Sequence, residues 1–176
     1  MAIDNLDIIA QAFGLLSFLL GIATFYQKDD QKLKIIMLVL NINHCIHFLL
    51  LGSIVSALSA VLSAFRTVTA IYISSKWVAA VFIIISIISG IVLADHVSQL
   101  WSIAGTVIGT YSIFLLKGIK LRIGFLIGAS CWLTNNILIG SIGGTLLEMS
   151  AITVNLTTMY RLYRDQKQLI SANPIN

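Results

Sequence analysis

Residues 77–93 read WVAAVFIIISIISGIVL, a run without a charge in which Ser86 and Ser89 are the only polar side chains. A stretch of this length and character is enough to cross the hydrocarbon core of a bilayer as a helix. The pattern recurs on both sides of it. Ile8–Phe25, Leu33–Leu51, Val55–Ser74, Leu100–Leu116, Ile123–Ile139 and Thr145–Tyr163 are apolar runs of similar length. Together they predict an all-α membrane protein with seven transmembrane helices. Composition agrees: 58% of residues are hydrophobic, 10% are charged, and mean hydropathy is +0.96. Soluble domains carry about a quarter charged residues. With one proline and no long polar tract, residues 1–176 read as a single membrane domain.

The connections set the orientation. QKDDQK, SSK and KGIKLR alternate along the chain with GSI, ADHVSQ and GSIGG. The first set and the segment after residue 160 hold all the lysines and arginines except Lys34, at the basic start of the second run, and Arg66, which lies within a run; the second set holds none. Basic loops stay in the cytoplasm, so the C-terminus is expected inside and the N-terminus outside. The opening MAIDNLD has two acids and no base, unlike the basic start of a secretory signal. The first run is therefore expected to be retained. Net charge of +4 reflects these loops rather than a nucleic-acid surface. Cys45 and Cys131 fall inside apolar runs and read as buried small residues.

An internal repeat runs through the chain. Gly52-Ser53-Ile54 followed by Leu58 matches Gly140-Ser141-Ile142 followed by Leu146 at an offset of 88. At that offset Thr69 meets Thr157 and Tyr72 meets Tyr160. This predicts two parallel three-helix repeats, residues 7–74 and 100–163, joined by a linker helix at 77–93, with a tail at 164–176. Three is an odd number, so one extra crossing is needed before the second unit starts in the same orientation. Such repeats are related by an axis along the membrane normal. Small residues at helical spacing, Gly14, Ser17 and Gly21, Gly105 and Gly109, Gly124 and Gly128, suit close helix contact.

Ionisable and polar side chains at membrane depth are costly and become candidates for function. Arg66 lies 13 positions after Ser53. It reads either as an anion-binding guanidinium or as a structural cation tied to carbonyls or, if the third and seventh spans are neighbours, to Glu148. Glu148 and Asn155 share a face. His44 and His47 share a face of the second span, and their repeat mates are Trp132 and Asn135. Two histidines without a third ligand make a poor metal site, so no metal is expected. The reading is an outward-half substrate cavity lined by Arg66, His44, His47, Trp132, Asn135, Glu148 and Asn155. Each of these could equally be interhelical glue. No nucleophile motif, phosphate loop or metalloprotease string is present, so neither an enzyme nor a cofactor is expected.

The strings SFLLGIATFYQKDDQKLK and HCIHFLLLGSIVSALSA, together with Arg66, resemble the bacterial inner-membrane YgjV family, and the seven-span arrangement resembles the wider SWEET/PQ-loop (MtN3-like) transporter superfamily. The resemblance covers nearly the whole chain. It implies a multi-pass inner-membrane permease for a small-molecule solute, working by alternating access, with the lipid bilayer as its other partner and room for a homo-oligomer. Sugar-transporting relatives place an asparagine on the third and seventh helices. Asn155 matches the second of these, and Thr67 stands at the first. Trp132 holds a place comparable to a tryptophan on their sixth helix. The PQ dipeptide and hinge prolines are absent, the only proline being Pro174, so a sugar and a proline-hinged motion are not carried over. Arg66 favours an anionic solute. The alternative is a non-transporting membrane protein, a receptor or partner subunit, whose polar cluster is structural.

Overall fold

The computed structural model describes residues 5–50, 54–93, 100–138 and 142–172. These form seven α-helices, and no strand occurs among the described residues. They are α1 (Asn5–Tyr26), α2 (Asp30–Leu50), α3 (Ile54–Tyr72), α4 (Lys76–Leu93), α5 (Leu100–Leu115), α6 (Gly118–Leu138) and α7 (Ile142–Ala172). The helices fall on the seven apolar runs. The non-basic connections at 51–53, 94–99 and 139–141, with the Gly-Ser strings of the repeat, lie outside the described residues. Residues 164–172, expected as a tail, instead continue α7, a helix of 31 residues. Among the described residues no helix is long and apolar enough to cross a membrane.

The turns at the basic end have local causes. Asp29 Oδ1 accepts from the Lys32 amide at 2.7 Å, an N-cap that starts α2. Gly118 has φ of 55°, a left-handed conformation that glycine adopts without steric cost, and it lets α5 turn at once into α6.

The packing order is a ring. α1 packs on α2, α2 on α3, α5 on α6 and α6 on α7; α1 then meets α7, and α3 meets α5 more sparsely. Exchanging α1, α2 and α3 for α5, α6 and α7 maps each of these pairings onto another. α4 stands apart from that exchange and packs on α5.

The largest buried apolar cluster lies toward the basic end: Leu33, Met37, Ala70, Ala79, Ile113, Phe114, Leu121 and Phe125. Phe25 meets Phe125 edge-on at 5.8 Å, and Phe82 stacks on Phe114 at 5.7 Å. Elsewhere the burial pattern is inverted relative to a protein in water. Side chains with at most 2% exposure include Thr24, Thr67, Thr110, Ser112, Arg122, Asn155 and Thr158, while Leu15, Phe65, Ile88, Val92, Ile137 and Leu156 are exposed.

Candidate functional site

The polar interior is built helix by helix. On α2, Asn43 Nδ2 donates to the Phe13 carbonyl at 2.8 Å and to Ser17 Oγ at 2.7 Å. One turn on, His47 Nδ1 lies 2.8 Å from the Ala10 carbonyl. The ring fits because Gly14 has no side chain: a Cβ there would sit 3.1 Å from the imidazole. On α5 and α6 the glycines do the same for backbone contact. A Cβ on Gly105 would lie 2.6 Å from Trp132 and 2.9 Å from the Gly128 carbonyl.

At the basic end side chains link α1 and the start of α2 to α6 and α7. Arg122, with 0% exposure, donates from Nη2 to Asp30 Oδ1 at 3.1 Å and to the Lys28 carbonyl at 3.4 Å. The other Asp30 oxygen accepts from the Gly118 amide at 2.6 Å. Asn155 Nδ2 donates to the Arg122 carbonyl at 2.7 Å. Thr158 Oγ1 donates to the Phe25 carbonyl, and Arg161 donates to the Tyr26 carbonyl while its guanidinium stacks 4.0 Å from the Tyr26 ring centroid. Lys28 forms an ion pair with Asp165. On the far side of the ring Arg66 Nη1 donates to Thr110 Oγ1 at 3.0 Å, and Ser74 Oγ donates to the Phe114 carbonyl at 2.7 Å.

Two of these groups titrate outside the apolar runs. Burial pushes the Arg122 guanidinium down, and Asp30 acts against that. The hydrogen bond from Lys28 holds the Asp165 carboxyl below the usual carboxylate range.

The seven expected site residues are separated by this geometry. His47 is engaged by α1, Trp132 lies against Gly105 on α5, and Asn155 is tied to the start of α6. His44 lies near His47, ring centroids 6.5 Å apart. Asn135 is buried with Oδ1 unpartnered. Arg66 and Glu148 do not pair: the ion pairs among the described residues are Lys28–Asp165 and Arg122–Asp30. The reason is the ring order, in which α3 packs on α2 and α5 rather than on α7. Arg66 lies in the half of α3 nearer the basic end, six positions before Tyr72, about 9 Å along the axis, and Asn155 is level with the second turn of α6. No cluster of three or more metal-ligating side chains occurs among the described residues.

What the sequence reading missed is the Asp30–Arg122 pair. The signal is present: Asp29 and Asp30 are acids inside an otherwise basic connection, but a one-sided count of basic residues does not say which of them an acid pairs with.

The described residues thus form an all-helical protein with buried polar side chains, exposed apolar ones and basic residues at one end. The comparisons sharpen that. The family described as bacterial inner membrane protein, Imp-YgjV, matches residues 8–166, and the chain belongs to this family. Inner membrane protein YgjV of Escherichia coli (strain K12) is 34% identical over 160 residues, covering 91% of this chain and 87% of that protein. No solved structure matches.

Proposed function

We propose that the chain is a small-solute permease of the inner membrane, in the manner of the SWEET/PQ-loop class. Its seven helices cross the bilayer with the N-terminus periplasmic and the C-terminus cytoplasmic, and residues 5–72 and 100–172 act as two parallel units. The observation that carries this is the exchange symmetry of the helix ring. It is what a pseudo-two-fold along the membrane normal produces. Position 30 meets its own repeat mate, position 118, through the Asp30–Gly118 hydrogen bond, which is expected of residues beside such an axis. The exposed apolar side chains support lipid contact, because a surface of this kind in water would aggregate.

In this reading the cross-links at the basic end close the cytoplasmic side. The sparser α3/α5 seam, where Arg66 keeps Nε unpartnered, is the weaker of the two contacts between units. A guanidinium with one hydrogen bond retains donors for an anionic group on the solute. The non-transporting alternative draws on His47 and Asn155, which commit Nδ1 and Nδ2 respectively to backbone carbonyls. The test is a thermal-shift screen of small neutral and anionic solutes on purified protein, followed by uptake into proteoliposomes. A permease gives at least one stabilising solute whose uptake falls in Arg66→Gln. Failure of every solute to shift or enter favours the structural alternative.

A further inference from the structure

Between α5 and α6 runs an apolar groove of about 320 Å³. Ile108, Tyr111 and Leu116 form one wall, Ile127 and the Lys120 stem form the other, and Gly124 lies on the floor. The groove has a sequence cause. A Cβ on Gly124 would fall 1.9 Å from Ser112 Oγ, so glycine lets the helices close and leaves the larger neighbours standing as walls. The Ser112 hydroxyl is spent on the Ile108 carbonyl at 2.6 Å. The groove therefore offers little to a polar solute and much to a hydrocarbon chain.

Its two ends differ. Lys120 to Ile127 spans about 10 Å of α6, which fits inside the roughly 15 Å half-thickness of a hydrocarbon core. At the basic end stand the exposed Lys117 and Lys120, whose ammonium groups attract an anionic headgroup; the Gly118 amide that opens α6 is already taken by Asp30. Tyr111 is 49% exposed, one turn from the end of α5.

We propose that this groove binds an anionic phospholipid of the cytoplasmic leaflet, with an acyl chain over Gly124 and the phosphate at Lys117 and Lys120. The site rests on the reading that the helices span the membrane with their basic ends inside.

The test uses the full chain in a neutral detergent. Dioleoyl phosphatidylglycerol or dioleoyl phosphatidylcholine is titrated in, and bound lipids are counted by native mass spectrometry. Phosphatidylglycerol is expected to be retained preferentially. Lys117→Gln with Lys120→Gln should reduce that preference by about fivefold per lysine. Ile127→Trp, which fills the groove, should displace the lipid, and Lys32→Gln, at another exposed lysine of the basic end, should change nothing. Equal retention of the two lipids overturns the site. So does a loss in Lys32→Gln as large as in the groove variants, or unchanged binding in Ile127→Trp. Resistance of the parent protein to carbonate extraction from membranes is measured in parallel. A retained parent without lipid preference removes the lipid site alone, whereas an extracted parent removes the spanning reading and the site with it.

Discussion

Arg122 and Asp30 are unequal to the other polar contacts because Arg122 is sealed from solvent. A buried pair broken on one side strands the other charge, at a cost of about 3–5 kcal/mol. Arg122→Ala and Asp30→Ala should each lower thermal stability strongly, and the double variant should be less destabilised than the two effects added. Purely additive losses would show that the pair is not coupled. Arg66 behaves differently. Its Thr110 partner also donates to the Thr106 carbonyl at 2.7 Å, so Arg66→Leu leaves no stranded hydroxyl. Stability should stay within about 1 kcal/mol of the parent or rise, and a loss comparable to that of Arg122→Ala would contradict this account. Asp165 titrates at the surface. Because its native pKa is depressed, its contribution is present above the unfolded carboxylate value of about 3.9 and vanishes as pH falls through the lower native value. The stability gap between parent and Asp165→Asn should be small at neutral pH and close in strong acid. A gap that widens in acid would reverse the sign.

The helices were legible from the sequence because apolar runs and charged breaks specify them directly. Their partners were not. Gly14, Gly105 and Gly124 were read as packing positions, and all three are, but periodicity alone does not say which neighbour a small residue admits. The α5/α6 contact supplies a contrast within one helix. A Cβ on Gly105 would collide with Trp132 and the Gly128 carbonyl, whereas one on Gly109 meets nothing within 4 Å. Gly105→Ala should therefore cost about 1–3 kcal/mol through overpacking. Gly109→Ala should be neutral or stabilise by up to about 1 kcal/mol from helix propensity. Thermal unfolding of the two variants checks this, and equal effects would mean that the helices are not this close. The candidate site was the least legible part. Arg66, His47 and Asn155 share a depth within apolar runs, yet partnership is set by which helices touch, and the ring separates α3 from α7.

For the whole molecule, orientation gives the most direct experiment. With Cys45 and Cys131 replaced by serine, a cysteine at Asp95 should react with an impermeant thiol reagent added to intact cells, and one at Lys120 should react only after lysis. The opposite pattern would invert the topology and place the Asp30–Arg122 closure on the periplasmic face.

The contact between Asp30 and Gly118 has a consequence for ancestry. In a dimer of identical three-helix units, whatever stood at this position would confront its own copy. Two aspartates would repel, and two glycines would offer no side-chain acceptor. In this chain the pair is Asp30 and Gly118, so one carboxylate faces a bare backbone amide and the repulsion of two aspartates is avoided. On the proposed two-unit reading, a chain that has taken this asymmetry cannot pair its halves in the opposite sense without losing the bond.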